Sequence, residues 1–253
     1  MPFTKIDAAK ISGAVIRQLE TLILQGILRP GERLPGERDL AERMGVSRPS
    51  LREALSAMQD DGLLVTRPGA GVFVAEVMGG AFSPALVRLI GRHPQAAVDY
   101  LTFRKDLEGL AAERAATAAG ETDLAVLDRI IADMRHAHDG SDPDTDASLD
   151  ADFHMAIVEA SHNIIALHMM RAMQDLLRQG MLFNRAKVFE TPKLRDQLLD
   201  QHIAINTALQ KRDGPAARSA LEVHLDCVAI ALADQRRIEG QDILAKLRLQ
   251  NRE

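Results

Sequence analysis

Cysteine and aromatic residues are scarce in this 253-residue chain. Cys227 is the only cysteine, which excludes an intramolecular disulfide and a cysteine-based zinc cluster and is typical of a reducing compartment. Tryptophan is absent and Tyr100 is the only tyrosine, so the cores must be built from aliphatic residues, alanine and methionine. The length suits two ordinary domains or one large one, and 46% hydrophobic residues are enough to form real cores.

Long apolar runs and an excess of positive charge are also missing. No run approaches the roughly 20 apolar residues that span a bilayer, and no secretory signal begins the chain, so we expect a cytoplasmic protein. The formal net charge is −5, and the first 80 residues contain ten basic and ten acidic residues. Composition therefore does not show whether the protein binds nucleic acid. The evidence has to come from the positions of individual arginines.

The first eighty residues follow the order helix, helix, helix, hairpin. Gly26 and Gly45 are positioned to end the first two helices, and Ser47 can cap the third. Two β-prone runs flank a turn of proline and glycine. The predicted helices cover residues 11–26, 37–44 and 47–60, and the β-prone runs cover residues 63–66 and 72–74. This order predicts a winged helix-turn-helix.

The third predicted helix carries two arginines suited to DNA. Arg48 and Arg52 lie four residues apart and project from one helix face, and arginine matches both the guanine edge and phosphate. Hydroxyl groups in the first turn can bind phosphate, and the small residues of the wing tip fit the minor groove. An ordinary solvated helix face is the alternative. The predicted DNA contacts are Arg38, Ser47, Arg48, Ser50, Arg52 and Gly69.

The rest of the chain has a helical pattern almost throughout and nothing that alternates as a strand does. We predict an all-α bundle of six or seven helices. Its predicted helices cover residues 95–119, 122–138, 147–160, 164–189, 192–211 and 214–237. The predicted domains are a DNA-binding domain at 1–77, a linker with a short helix (84–90) at 78–94, the bundle at 95–238, and a tail at 239–253 that forms another helix or frays.

Four polar residues in the bundle have the spacing of a metal site. Asp150 and His154 are four apart on one helix, and His202 and His224 lie among apolar residues on two later helices. One carboxylate and three imidazoles suit zinc, nickel, copper or iron, and a carboxylate also accepts manganese. Water or a ligand carboxylate would complete the coordination. The alternative is that these are buried structural histidines.

The N-terminal residues closely resemble a known family. Residues 30–35 (PGERLP), 37–41 (ERDLA), 46–55 (VSRPSLREAL) and 62–64 (GLL) resemble the winged helix of GntR-superfamily repressors over most of residues 10–76. The resemblance implies that Arg38, Arg48, Arg52 and the wing tip at Gly69 contact operator DNA. Gly36 stands where the family often has serine, which removes a capping hydroxyl at a cost of a few tenths of a kcal/mol.

The C-terminal residues are similar to the FCD ligand-binding domain of FadR-type GntR regulators over roughly residues 95–235. Residues 104–108 (RKDLE), 150–154 (DADFH) and 159–163 (EASHN) carry this resemblance together with the two late histidines. It implies that Asp150, His154, His202 and His224 bind a divalent metal ion, zinc above nickel or manganese. Residues 160–163 and 167–171 are most similar to the pyruvate dehydrogenase complex repressor and the lactate- and glycolate-responsive regulators.

This resemblance implies a small 2-oxo or 2-hydroxy acid as effector, although a sugar acid or a dicarboxylate stays open. Arg104 can bind the carboxylate of the effector or form a salt bridge with Glu108. Asn163 is either a polar group of the effector pocket or a helix cap. We expect a homodimeric repressor that binds double-stranded operator DNA, and not an enzyme. A metal-dependent hydrolase or lyase is the alternative function, and a purely structural metal is the third possibility.

Overall fold

The computed structural model describes residues 8–75, 89, 93–140, 142–178 and 191–250. The chain divides into two compact units, Met1–Ala81 and Phe82–Glu253. Helices dominate both units, and a single antiparallel hairpin is the only sheet among the described residues. None of the described helices combines the length and the apolar character that a membrane span requires. The predicted mainly-α architecture is therefore confirmed.

The first unit contains three helices and a hairpin, in the predicted order. The helices are α1 (Ala8–Leu24), α2 (Glu37–Met44) and α3 (Arg48–Asp60), and the strands are β1 (Leu64–Arg67) and β2 (Gly71–Val74). Gly45 ends α2 with a φ of 63°, a conformation that glycine adopts without strain. The Ser47 hydroxyl accepts a hydrogen bond from the Ser50 amide at the start of α3. The predicted winged helix-turn-helix is confirmed.

The core of the first unit lies between α1, α3 and the hairpin. Apolar residues at helical spacing form one face of α1 that packs against α3. Leu64 and Val74, on the inner face of the hairpin, belong to the same core. The segment before α2 runs along the free edge of β2, since the Leu34 amide donates to the Val72 carbonyl and the Val74 amide to the Glu32 carbonyl.

Six helices form the described part of the second unit, as predicted for the bundle. Each begins or ends at a turn residue that the sequence displays, such as Pro143 in the first turn of α6. Their bounds are α4 (Pro94–Ala118), α5 (Glu121–Gly140), α6 (Pro143–Ala160), α7 (Ile164–Arg178), α8 (Pro192–Gln210) and α9 (Gly214–Gln250).

Two predicted boundaries in this unit are wrong. The predicted loop over residues 139–146 is largely helical, because Asp142 caps α6 and Pro143 opens it. The predicted break after Arg237 is absent, because α9 continues through Gln250. The predicted linker at 78–94 lies outside the described residues apart from positions 89, 93 and 94, and so do residues 179–189 of the fourth predicted helix.

Helix α6 lies in the middle of the bundle. It packs against α4, α5 and α7, while α9 packs along α4 and α8. Alanines on α4 allow close approach of the helices, and Phe153 and Ile157 of α6 are fully buried in the same core. Residues of α6 on this buried side therefore face α8 and α9, which carry the two late histidines.

Candidate metal centre and DNA-contacting surface

The four predicted metal ligands meet in the interior of the second unit. Asp150 and His154 come from α6, His202 from α8 and His224 from α9. One ligand atom from each lies within 4.8 Å of the other three, and all four residues are buried. The tertiary fold therefore assembles a group that the spacing of Asp150 and His154 suggested only in part.

The distances within this group fit a metal ion. The Asp150 Oδ1 atom lies 3.1 Å from Nε2 of His202, 3.6 Å from Nε2 of His154 and 3.7 Å from Nε2 of His224. An ion bonded at about 2.0–2.2 Å to each donor has neighbouring donors roughly 3.0–3.6 Å apart, in octahedral or tetrahedral geometry. Two of the three separations lie in that range, and the third, between Asp150 and His224, exceeds it by about 0.1 Å.

The protonation states of the imidazoles also fit a cation. Nδ1 of His154 lies 2.5 Å from Glu108 Oε2, and Nδ1 of His224 lies 3.2 Å from Gln201 Oε1. Because both partners accept hydrogen bonds, these contacts suit the tautomer with the proton on Nδ1, which leaves a lone pair on Nε2 for a metal ion. The two Nε2 atoms face each other at 3.2 Å. Two lone pairs at that distance repel unless a proton or a metal cation lies between them.

Glu108 supports the candidate site in a way that the sequence analysis missed. It is fully buried and connects two residues, since Oε1 accepts from Arg104 Nε at 2.5 Å and Oε2 accepts from His154 Nδ1 at 2.5 Å. Burial alone raises the pKa of Glu108, but the Arg104 charge and the His154 contact lower it to about 2. The ionised carboxylate thus orients His154, as carboxylates commonly do behind metal-binding histidines.

The sequence contained only half of the signal for this role. Glu108 was considered solely as an ion-pair partner for Arg104, four residues earlier on the same helix. That ion pair is present. The contact with His154 crosses from α4 to α6 and joins residues 46 positions apart, so no local pattern displays it.

Arg104 has one nitrogen that stays without a partner. Its side chain is 3% exposed, and its pKa is raised because the Glu108 carboxylate outweighs the effect of burial. Its Nη2 atom is buried and makes no hydrogen bond within the described part of the chain. A buried guanidinium nitrogen of this kind is able to donate to a carboxylate ligand.

Asn163, the other predicted effector contact, lies at the start of α7. Its side chain is exposed, and Oδ1 accepts hydrogen bonds from the amides of Ile165 and Ala166 at 3.1 and 3.2 Å. These contacts are those of a helix cap. A role in effector binding stays a prediction.

A small cleft, partly open to solvent, borders the metal group on the side of His202. Arg195 crosses it, with Nε donating to Asp146 Oδ2 at 2.6 Å and Nη2 donating to the His138 carbonyl at 3.0 Å. The lining residues are Met134, His138, Asp146, Arg195, Leu199 and His202. This cleft connects the surface between α5, α6 and α8 with one of the four ligand residues.

The predicted DNA-reading arginines share one acidic neighbour in the first unit. Arg52 Nε donates to Glu37 Oε2 at 2.6 Å, and Arg48 Nη2 lies 3.9 Å from the same oxygen. All three side chains are at least a third exposed. Such exposed pairs are weak, so a phosphate or a base edge can replace Glu37. Sequence reasoning missed Glu37, because it belongs to the preceding helix.

The other predicted DNA contacts occupy different environments. Arg38 and Ser47 are exposed, and Gly69 is exposed at the hairpin turn with a φ of 73°. Ser50 is only 7% exposed, and its hydroxyl lies 2.9 Å from the Ser47 hydroxyl. Ser50 therefore stabilises the start of α3, and its contact with DNA stays a prediction.

Comparison with known proteins gives two family matches. Residues 11–74 match the family described as bacterial regulatory proteins, gntR family, and residues 99–226 match the FCD domain. A regulatory protein assigned to the L-lactate dehydrogenase operon of Escherichia coli (strain K12) is 34% identical over 223 residues, which cover 87% of this chain and 85% of that protein. The Glc operon transcriptional activator of the same organism is 30% identical over 243 residues, 95% of each chain.

Among solved structures, the fold resembles that of Streptococcus agalactiae GntR. The TM-score is 0.51 at 23% identity, and the match covers 86% of this chain and 98% of the other. At that level of identity the likeness concerns the fold alone. The names of the matching families and relatives are those of regulators, not of enzymes.

Proposed function

We propose that a small carboxylic acid bound at a divalent metal ion controls the affinity of this protein for operator DNA. The chain belongs to the gntR family of bacterial regulatory proteins and is a DNA-binding transcription regulator with an FCD domain, not an enzyme. The observation that carries this proposal is the buried group of Asp150, His154, His202 and His224. A hydrolase or lyase built on the same residues is set aside, because the relatives are regulators.

The donor set supports a metal ion of borderline softness. Three neutral imidazoles and one carboxylate suit zinc best, and nickel and manganese are the other ions that such a site accommodates. When bound, the ion would offer its remaining coordination positions to oxygen atoms of an acid. Glu108 keeps the proton of His154 on Nδ1, and Gln201 does the same for His224, so both Nε2 atoms stay available.

Arg104 is the group that we assign to the effector carboxylate. Its Nη2 atom is buried without a hydrogen-bond partner, which costs about 1–3 kcal/mol for a buried polar group. A carboxylate that accepts a hydrogen bond from Nη2 removes this cost. It also binds a guanidinium group, that of Arg104, whose orientation Glu108 already fixes. Asn163 stays a weaker assignment, because its side-chain oxygen caps α7.

The cleft beside His202 is the path by which we propose that the acid reaches the metal group. Met134 and Leu199 give it an apolar wall, while Arg195 and Asp146 are paired with each other. A short 2-hydroxy or 2-oxo acid is the class of effector that we propose. The relative assigned to an L-lactate dehydrogenase operon favours the same class of effector, with sugar acids and dicarboxylates as the alternatives.

The response requires that the acid binds one state of the protein more tightly than another. We propose a homodimer in which the two α3 helices contact two half-sites of a pseudo-palindromic operator. Binding of the acid changes the arrangement of the two winged helices and releases the DNA, so the protein is a repressor. By linkage, the acid changes DNA affinity only by the ratio of its affinities for the two states.

Fluorescence anisotropy tests this function with labelled DNA from upstream of the protein's own gene. We expect tight, salt-sensitive binding that one of pyruvate, lactate, glycolate or a panel of sugar acids weakens. Asp150→Ala and His202→Ala are expected to abolish the response to the acid and to leave DNA binding intact. Binding that no acid alters would contradict the proposed sensor and would favour another effector class or a structural metal.

Thermal unfolding distinguishes these two outcomes. An acid that binds only the folded protein raises its unfolding temperature, by an amount that grows with concentration. We expect this shift in the zinc-loaded protein and none after treatment with a chelator. A chelator that lowers the unfolding temperature, in a protein that no acid stabilises, would identify the metal as structural.

A further inference from the structure

The outer face of the wing carries two guanidinium groups that the contacts described above do not use. In the hairpin Val65 is paired with Phe73 and Arg67 with Gly71, and on the other edge of β2 Arg33 is paired with Phe73. Paired residues, and residues two apart on a strand, project from the same face of a sheet. The side chains of Arg33, Arg67 and Phe73 therefore share one face.

This face points away from the core of the first unit. The neighbouring pair in the register, Leu64 and Val74, projects to the opposite face, and both residues are at most 3% exposed. On the outer face Arg33 and Arg67 are exposed, and Val65 is 42% exposed. The two guanidinium groups are thus presented on the surface that the hairpin turns outward.

Both guanidinium groups are held in place by the hairpin. The Arg67 Cζ atom lies 4.4 Å from the centre of the Phe73 ring, a distance at which cation and ring attract each other. The Arg33 Nε atom lies over Gly71, only 3.0 Å from where a Cβ atom would be. Gly71 also has a φ of 112°, a backbone conformation that glycine adopts without strain, and the absence of a Cβ atom there lets the Arg33 side chain lie close to the backbone.

Among the described residues of the first unit, no ion pair includes Arg33 or Arg67. Residues 62–75 contain neither aspartate nor glutamate. The ion pairs that the structure describes in the first unit all involve arginines of α2 and α3. Glu32, the acidic residue next to Arg33 in sequence, accepts a hydrogen bond from the Arg29 amide. Two exposed cations on one face, neither in an ion pair within the described part of the chain, form a surface suited to a polyanion.

We propose that Arg33, Arg67 and Phe73 form a phosphate-binding platform on the wing that contacts the DNA backbone next to the groove occupied by the wing tip. Each guanidinium group binds phosphate oxygens and displaces counterions from the DNA. Phe73 contacts no DNA in this arrangement and positions Arg67. The platform adds affinity and fixes the docking of the wing, and it does not read bases.

Salt titration of DNA binding tests the platform in the full-length protein. The slope of log K against log salt concentration is measured for Arg33→Gln, Arg67→Gln and the double variant, on DNA from upstream of the protein's own gene and on an unrelated duplex of equal length. We expect each single variant to reduce the magnitude of the slope by about 1, and the double variant by about 2. Affinity should fall by similar factors on both duplexes.

Three further variants sharpen this test. Arg129→Gln removes an arginine of α5 whose side chain is 80% exposed and should leave the slope unchanged. Arg67→Lys keeps the charge and should keep the slope. Phe73→Leu should weaken binding severalfold at an unchanged slope. The proposal is wrong if the folded double variant keeps the slope of the wild type, or if it loses affinity only for the DNA from its own gene.

Discussion

The two units each contain an arginine bonded through Nε to a glutamate, at almost the same distance and in opposite environments. In the first unit, Arg52 lies 2.6 Å from Glu37, and the two side chains are 61% and 38% exposed. In the second unit, Arg104 lies 2.5 Å from Glu108, and the side chains are 3% and 0% exposed. The atoms are the same, but water reaches only the first pair.

Exposure decides what each pair is able to do. The exposed pair contributes about 0–1 kcal/mol, so DNA can take the arginine from Glu37 at little cost. The buried pair cannot separate cheaply, since a single buried charge without its partner costs several kcal/mol. Arg52 is therefore an exchangeable contact for a polyanion, whereas Glu108 is a fixed support for Arg104 and His154.

Removal of the two glutamates should produce the largest difference between the units. We expect Glu108→Ala to reduce the free energy of unfolding by about 3–5 kcal/mol, because it leaves Arg104 buried without its partner. Glu37→Ala should reduce it by about 1 kcal/mol at most. Urea unfolding measures both. Equal losses of unfolding free energy for Glu37→Ala and Glu108→Ala would refute the difference between the two pairs. Glu108→Gln keeps the size of the side chain and one hydrogen-bond acceptor, so its loss should lie between those two values.

Metal removal should affect only the second unit. A metal ion at a thousandfold excess over its dissociation constant adds about 4 kcal/mol to stability. We expect a chelator to lower the unfolding temperature of the wild type and to have no effect on His202→Ala, which lacks a ligand. DNA binding without acid should persist in both cases. Loss of DNA binding on chelation would show instead that the metal supports the whole protein.

The contrast between the units also explains what could be predicted from the sequence. The helix-turn-helix depends on local signals, such as the Gly45 conformation and the Ser47 cap, so α2, α3 and both strands were predicted to within one residue, whereas α1 begins three residues earlier than predicted. Asp150 and His154 share a helix face by their spacing alone. His202 and His224 were candidates from their apolar surroundings, and the family resemblance supported the assignment; only the packing of α6, α8 and α9 brings them together with the residues of α6.

The wrong predictions have physical reasons as well. Residues 139–146 are rich in small polar residues and were interpreted as a loop, although the sequence contains the Asp142 cap and a proline at the first position of α6. The last helix was predicted to end at Arg237, although it continues through Gly240. A single glycine costs only about 1 kcal/mol in a helix, which α9 tolerates within its 37 residues.

Substitution of Arg104 should have an intermediate effect, on the response to the acid rather than on DNA. A hydrogen bond to a charged group contributes about 1.5–3 kcal/mol. We therefore expect Arg104→Gln to require roughly 10–100 times more acid for half-maximal release of the DNA. Anisotropy titrations with the acid measure this, and the acid-free affinity for DNA should stay that of the wild type. An unchanged response to the acid would remove Arg104 from the effector site.

The smallest effect should come from an exposed carboxylate in the second unit, and it tests whether exposure or the unit itself is the cause. Asp142 is exposed, and hydrogen bonds from the Thr145 hydroxyl and the Asp144 amide lower its pKa. A lowered pKa means that the stabilisation is present above the usual aspartate pKa of about 3.9 and is lost as the pH falls through the pKa of the folded state. Asp142→Asn keeps the cap and removes the charge.

The unfolding temperatures of the wild type and of Asp142→Asn, measured between pH 7 and pH 3, should differ slightly at neutral pH and converge in acid. A loss at neutral pH as large as that of Glu108→Ala would mean that charges in the second unit matter irrespective of their exposure.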